Sequence, residues 1–105
     1  MTHEEVTAMV EELGLPSAYD HFAEVEAPDP PFVCYLYPSA ENFSADNIVY
    51  HSFHHLDIEV YTDRKSPELE AQVEAVLTAH ELYYEKSEVW IESERLYEVL
   101  YEVTV

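Results

Sequence analysis

Residues Glu81–Val105 read ELYYEKSEVWIESERLYEVLYEVTV, and this stretch decides the fold. Aromatic and β-branched residues alternate with glutamates through most of it. In Leu96–Thr104, Tyr97, Val99, Tyr101 and Val103 share one face. Leu96, Glu98, Leu100 and Glu102 share the other. The uniformly apolar face belongs in a core, and the glutamate face reads as solvated. The spacing predicts two strands, about Tyr83 to Ile91 and Leu96 to Thr104, joined by a tight turn at Glu92 to Arg95.

Upstream lies a helical stripe, Leu69, Val73, Val76 and Leu77, padded by Ala71, Ala75 and Ala79. Ser66 can cap it and Pro67 suits its first position, so a helix is expected from about Pro67 to His80. Before the turn at Thr62 to Ser66, Val49 to Tyr61 has strand character. Leu56, Ile58 and Val60 lie on one face there, with Asp57 and Glu59 on the other. Its length predicts a bulge or bend near His54-His55.

Phe32 to Tyr37 is apolar on both faces, as in a strand covered on both sides, and Pro38 ends it. Tyr19 to Phe22 is a short aromatic segment that the pattern leaves unassigned. The three prolines of Ala27 to Pro31 break regular structure. At the start, Thr2 and Glu5 form a capping box ahead of Val6, Met9, Val10 and Leu13. Gly14, the only glycine, stops that helix at about residue 13. The order helix, strand, strand, helix, strand, strand predicts one α+β domain over residues 1–105. It has a mostly antiparallel sheet of about four strands with both helices on one face.

The 105 residues include 23 acidic and 4 basic side chains, a net charge of −19. That opposes nonspecific nucleic-acid binding, which draws its affinity from Lys and Arg on phosphates. It opposes anionic membranes likewise. No signal pattern and no membrane-length apolar run is present, which predicts a soluble protein acting in a cytoplasm. Acidity of this degree fits a solubility device, a mimic of DNA charge, or a wall past which DNA slides.

Cys34, the single cysteine, sits in the apolar run PFVCYLYP and reads as a small buried hydrophobe. His51, His54, His55 and Asp57 invite a metal reading. In a strand, however, His54 points away from His51 and His55, so the set does not converge as zinc requires. Carboxylate pairs are inevitable among so many acids and carry little signal for glycoside or phosphoester chemistry. With no GxSxG, P-loop or HExxH motif, neither an enzyme nor a cofactor is expected. Arg64-Lys65 is the only basic doublet. In a chain this acidic, it is a candidate subunit contact.

The segments GLPSAYDHF (14–22), PPFVCYLYP (30–38), ENFSADN (41–47), YTDRKSPELE (61–70) and YEKSEVWIESERLYEVLYEV (84–103) span nearly the whole chain. They resemble the small tail completion, minor tail or tail terminator proteins of Gram-positive siphophages and prophages. The resemblance implies a structural virion protein, assembled in the bacterial host cytoplasm. It would form a homo-oligomeric ring, typically a hexamer, between the tail tube protein and the head–tail connector proteins. It implies a small α+β domain, no catalytic residues, and neighbour contacts through the loop Glu41 to Asn47. Phe43, Ser44, Ala45 and Asp46 join Arg64 and Lys65 as candidate contact residues. A negative lumen would keep DNA from sticking. The alternatives are an acidic DNA-mimic inhibitor of phage origin, a small enzyme or metal-binding domain, and an acidic halophile domain.

Overall fold

The computed structural model describes residues 1–23, 27–38 and 55–105. The elements are α1 (His3–Glu11), β1 (Ser17–Tyr19), β2 (Phe32–Leu36), β3 (His55–Thr62), α2 (Pro67–Ala79), β4 (Tyr83–Ile91) and β5 (Leu96–Thr104). One sheet takes all five strands in the order β1-β2-β3-β5-β4.

Register builds the core. Leu56 lies opposite Val103, Ile58 opposite Tyr101, and Val60 opposite Val99. On the other side of β3, Val33 meets Val60 and Tyr35 meets Ile58. These residues are buried and share one face, the inner face, because side chains alternate with period two. Val6, Met9 and Val10 of α1 and Val73 and Leu77 of α2 complete the same cluster. Both helices therefore lie on the inner face.

The helix ends follow their local chemistry. Thr2 Oγ1 accepts from the Glu5 amide at 3.1 Å, and Glu5 Oε1 accepts from the Thr2 amide at 2.7 Å, closing the expected capping box. Gly14 takes φ 72° after α1. Ser66 Oγ caps α2 by accepting from the Leu69 amide at 3.3 Å. At the far end of α2, the Leu82 amide donates to the Leu77 carbonyl and the Glu81 amide to the Thr78 carbonyl, at 3.0 and 2.9 Å. That is a Schellman motif with Glu81 at its left-handed position, φ 59°.

The α+β class, the two helices and the paired strands Tyr83–Ile91 and Leu96–Thr104 agree with expectation. The sheet differs from it. Among the described residues it has five strands rather than about four, it is mixed, and the element order is α-β-β-β-α-β-β. The added strand, β1, overlaps the unassigned segment Tyr19 to Phe22 only at Tyr19 and otherwise precedes it. It runs parallel to β2, with Ser17 opposite Val33 and Tyr19 opposite Tyr35. The Val33 amide also donates to the Pro16 carbonyl at 2.9 Å and the Asp20 amide to the Tyr35 carbonyl at 2.7 Å. Three residues held by backbone pairing leave no alternation to read. Of the long strand expected from Val49, only His55–Thr62 lies among the described residues. The expected bend at His54-His55 falls at their boundary.

Glu81 in the left-handed region carries a steric cost that glycine does not. Glu81→Gly is expected to raise stability by about 0.5–1 kcal/mol in equilibrium denaturation.

Candidate functional site

The outer face of the sheet carries no helix among the described residues, and the alternation places Asp57, Glu59, Glu85, Glu98 and Glu102 on it beside apolar residues such as Phe32, Leu100 and Val89. Across three adjacent strands, Asp57 lies opposite Glu102, and Glu102 lies opposite Glu85. Glu59 and Glu98 flank this row on the same face, with Glu98 between Tyr61 and Val89. Like charges directly opposite on neighbouring strands are destabilising. The row borders a groove of about 400 Å³ lined by Pro38, His55, Asp57, Tyr83, Glu85 and Glu102, among others.

The solvated face expected for Glu98 is only half right, because Glu98 is half-buried while Glu102 is exposed. Burial pushes the Glu98 carboxyl up, and the Asp57 charge adds to it. Burial also raises Asp57, helped by Glu102 and opposed by His55. Glu59 is raised by burial, although Tyr61 donates to it at 3.0 Å and offsets part of the shift. Cys34 is buried, as expected, and burial pushes its thiol up to about 11. A thiol held protonated at neutral pH is a poor nucleophile.

The cations are elsewhere. Lys65 and Lys86 lie at the edge of α2, where each holds two carboxylates. Lys65 pairs with Glu70 at 2.7 Å and also with Glu88. Lys86 pairs with Glu70 and Glu74, both at 2.7 Å. The fully buried Tyr101 donates its hydroxyl to Glu74 at 2.9 Å, and Lys86 Nζ stands 5.9 Å above the Tyr101 ring. Burial alone would raise Glu70, but hydrogen bonds from Lys65 and Lys86 outweigh it and hold the carboxyl below its usual value. The Lys86 hydrogen bond lowers Glu74 against its own burial. Arg95 stays exposed at the β4–β5 turn, 3.8 Å from Glu92.

Of the expected contact residues, Phe43, Ser44, Ala45 and Asp46 lie outside the described residues, as do His51 and His54. Lys65 is tied down inside its own subunit. Arg64 is exposed and makes no ion pair among the described residues. No group of three or more His, Cys, Asp or Glu placed to hold a metal ion occurs among the described residues. No described helix is long and apolar enough to cross a membrane.

The Lys65–Glu70–Lys86–Glu74–Tyr101 network was not anticipated. Its one sequence signal is parity. Lys86 shares the face of Tyr84 and Trp90, so it points inward, and an inward cation needs carboxylate partners. Glu70 and Glu74, four apart on α2, supply them. The chemistry of the molecule is thus segregated. Among the described residues, one sheet face holds carboxylates without a lysine or arginine, while Lys65 and Lys86 pair with acids around α2.

Lys86→Met keeps the aliphatic stem and removes the charge. Screening at this half-exposed pair limits the loss, which is expected to be about 1–2 kcal/mol in chemical denaturation. The two groups of acids make opposite contributions to the pH dependence. Glu98 has a folded pKa above its unfolded value near 4.5, so its contribution is lost as pH rises from 4.5 through the folded pKa. Glu70 and Glu74 are lowered from 4.5, so theirs is lost as pH falls below it. Glu98→Gln is therefore expected to flatten the decline of stability as pH rises above about 4.5 without changing the acid limb. Thermal melts across that range check it, and an unchanged decline would refute it.

Comparison of the chain with protein-family models, with curated proteins and with solved structures gives no match in any of the three.

Proposed function

We propose that this chain is a structural protein of a phage virion, at the head-proximal end of the tail. There it forms a ring that completes the tail tube and joins it to the head. The observation that carries the reading is the acidic sheet face, which carries no helix, lysine or arginine among the described residues, in a chain whose segments resemble tail completion proteins along most of their length. Turned toward a channel, Asp57, Glu85 and Glu102 would repel phosphates and let DNA pass without adhesion. Arg64, exposed at the turn before α2, is the cation left to meet an acidic neighbour, since Lys65 is already paired. Partners on this reading are further copies of the chain, the tail tube protein and the head–tail connector.

The same carboxylate row favours a second reading, in which the face stands in for DNA phosphates and occupies a DNA-binding protein. Three acids side by side on adjacent strands lie about 5 Å apart at Cβ, a dense anionic stripe.

Electron microscopy of the purified protein mixed with tail tubes of the same phage separates the two. Rings, or tubes that stop growing with added density at one end, are the expected result. Arg64→Glu should reduce capping while leaving the monomer's stability within about 0.5 kcal/mol, as for an exposed side chain without structural partners. No association with tubes across salt and protein concentration would overturn the tail reading. Displacement of a host DNA-binding protein from DNA would then establish the second.

A further inference from the structure

Strand β4 ends the sheet. It pairs with β5 on one side, and nothing among the described residues pairs with its other edge. The strand runs nine residues without proline or glycine. It exposes Tyr83 by 67%, Val89 by 52% and Trp90 by 39%. Long exposed edges template pairing with other chains, and proteins commonly guard them with an inward-pointing charge. Lys86 has the position for that guard, but Glu70 and Glu74 hold it back beneath α2.

We infer that the open edge of β4 pairs with the same edge of a second copy, antiparallel about a two-fold axis through Ser87. A two-fold axis normal to the sheet keeps each side chain on its own face, so the register must centre on a residue. Ser87 is the midpoint of Tyr83–Ile91, so this register uses the whole strand. It sets Lys86 opposite Glu88 of the second copy, twice. It sets Tyr84 opposite Trp90 on the same face. Glu85 meets Val89, Tyr83 meets Ile91, and Ser87 meets itself. No like charges stand directly opposite.

The neighbouring registers fail this test. Centring on Lys86 sets lysine against lysine, and centring on Glu88 sets glutamate against glutamate. Direct cross-strand like pairs destabilise a sheet. Of its three donors, Lys86 gives two to Glu70 and Glu74, which leaves a third for the incoming Glu88. The merged sheet keeps the helices of both copies on one side and joins the two acidic faces on the other. The contact is isologous, so it pairs copies and does not by itself close a sixfold ring. It stands on the edge and its charges, independently of the tail reading.

Each copy carries −19, so the pairing needs screening. Sedimentation velocity of the full chain at about 0.15 M salt, where the screening length is ~8 Å, is expected to show a monomer–dimer equilibrium that weakens at low salt. Two exposed outer-face positions on β4 read the register. Val89→Lys sets a lysine against Glu85 of the second copy and should tighten the dimer by roughly 2- to 30-fold. Ser87→Lys makes the same change in net charge but sets lysine against lysine, and should weaken the dimer by a similar factor. Denaturant melts of both variants verify that the monomer is folded. A monomer at every concentration and salt would overturn the inference. So would both substitutions shifting association in the same direction, since that reports overall charge and not register.

Discussion

The ladder between β3 and β5 runs from His55 opposite Thr104 to Thr62 opposite Tyr97. Its three inward pairs, Leu56–Val103, Ile58–Tyr101 and Val60–Val99, form the floor on which both helices sit. The same ladder sets Asp57 against Glu102 on the outer side. Core and acid row are thus two consequences of one register. A slip of one residue would turn the apolar set outward and the acids inward, and burying the acids would cost far more than their present repulsion. The core therefore fixes which outer positions stand opposite each other, and with Asp57 against Glu102 that juxtaposition is electrostatically unfavourable.

The unfavourable face is compensated elsewhere. Four cations cannot neutralise 23 acids, so their placement decides which acids are stabilised. Lys65 and Lys86 gather Glu70, Glu74 and Glu88 at the seam of α2 and β4, where Glu70 is buried. Paired charges there fix how α2 lies on the sheet. None of the cations is placed among Asp57, Glu59 and Glu98, whose carboxyls are all raised. The molecule thus responds to pH in two directions, with acidification relieving the outer face before it undoes the helix seam.

The sequence made the amphipathic elements legible to different depths. Alternation over nine residues located β4 and β5, and the caps at Thr2, Ser66 and Gly14 located the helices. The strand β1 was not legible, since Ser17–Tyr19 is too short to alternate and is held by backbone bonds to β2. The acid row was legible strand by strand but not as a row. Asp57, Glu85 and Glu102 come from three segments, and only their pairing makes them neighbours. The Lys86 network was hidden for the same reason, because α2 must dock before Glu70 and Glu74 come within reach. Local pattern fixes the face on which a residue lies, and long-range pairing fixes what it meets there.

The division of the sheet into two faces separates the work of folding from whatever the chain binds or avoids. On the inner face most side chains away from the β4 edge are buried, so the freedom left there for recognition lies along that edge. On the outer face, repulsion between Asp57, Glu102 and Glu85 persists although a single lysine in place of one of them would relieve it at no cost to the core. Cross-strand pairs of opposite charge stabilise a sheet as readily as like pairs weaken it. Folding alone thus gives no reason for three aligned acids. On the proposed readings, a surface that rejects phosphate, or one that imitates it, would have to hold its charge unneutralised. Both readings of the face meet that requirement, and on both a lysine or arginine placed among Asp57, Glu85 and Glu102 would be unfavourable.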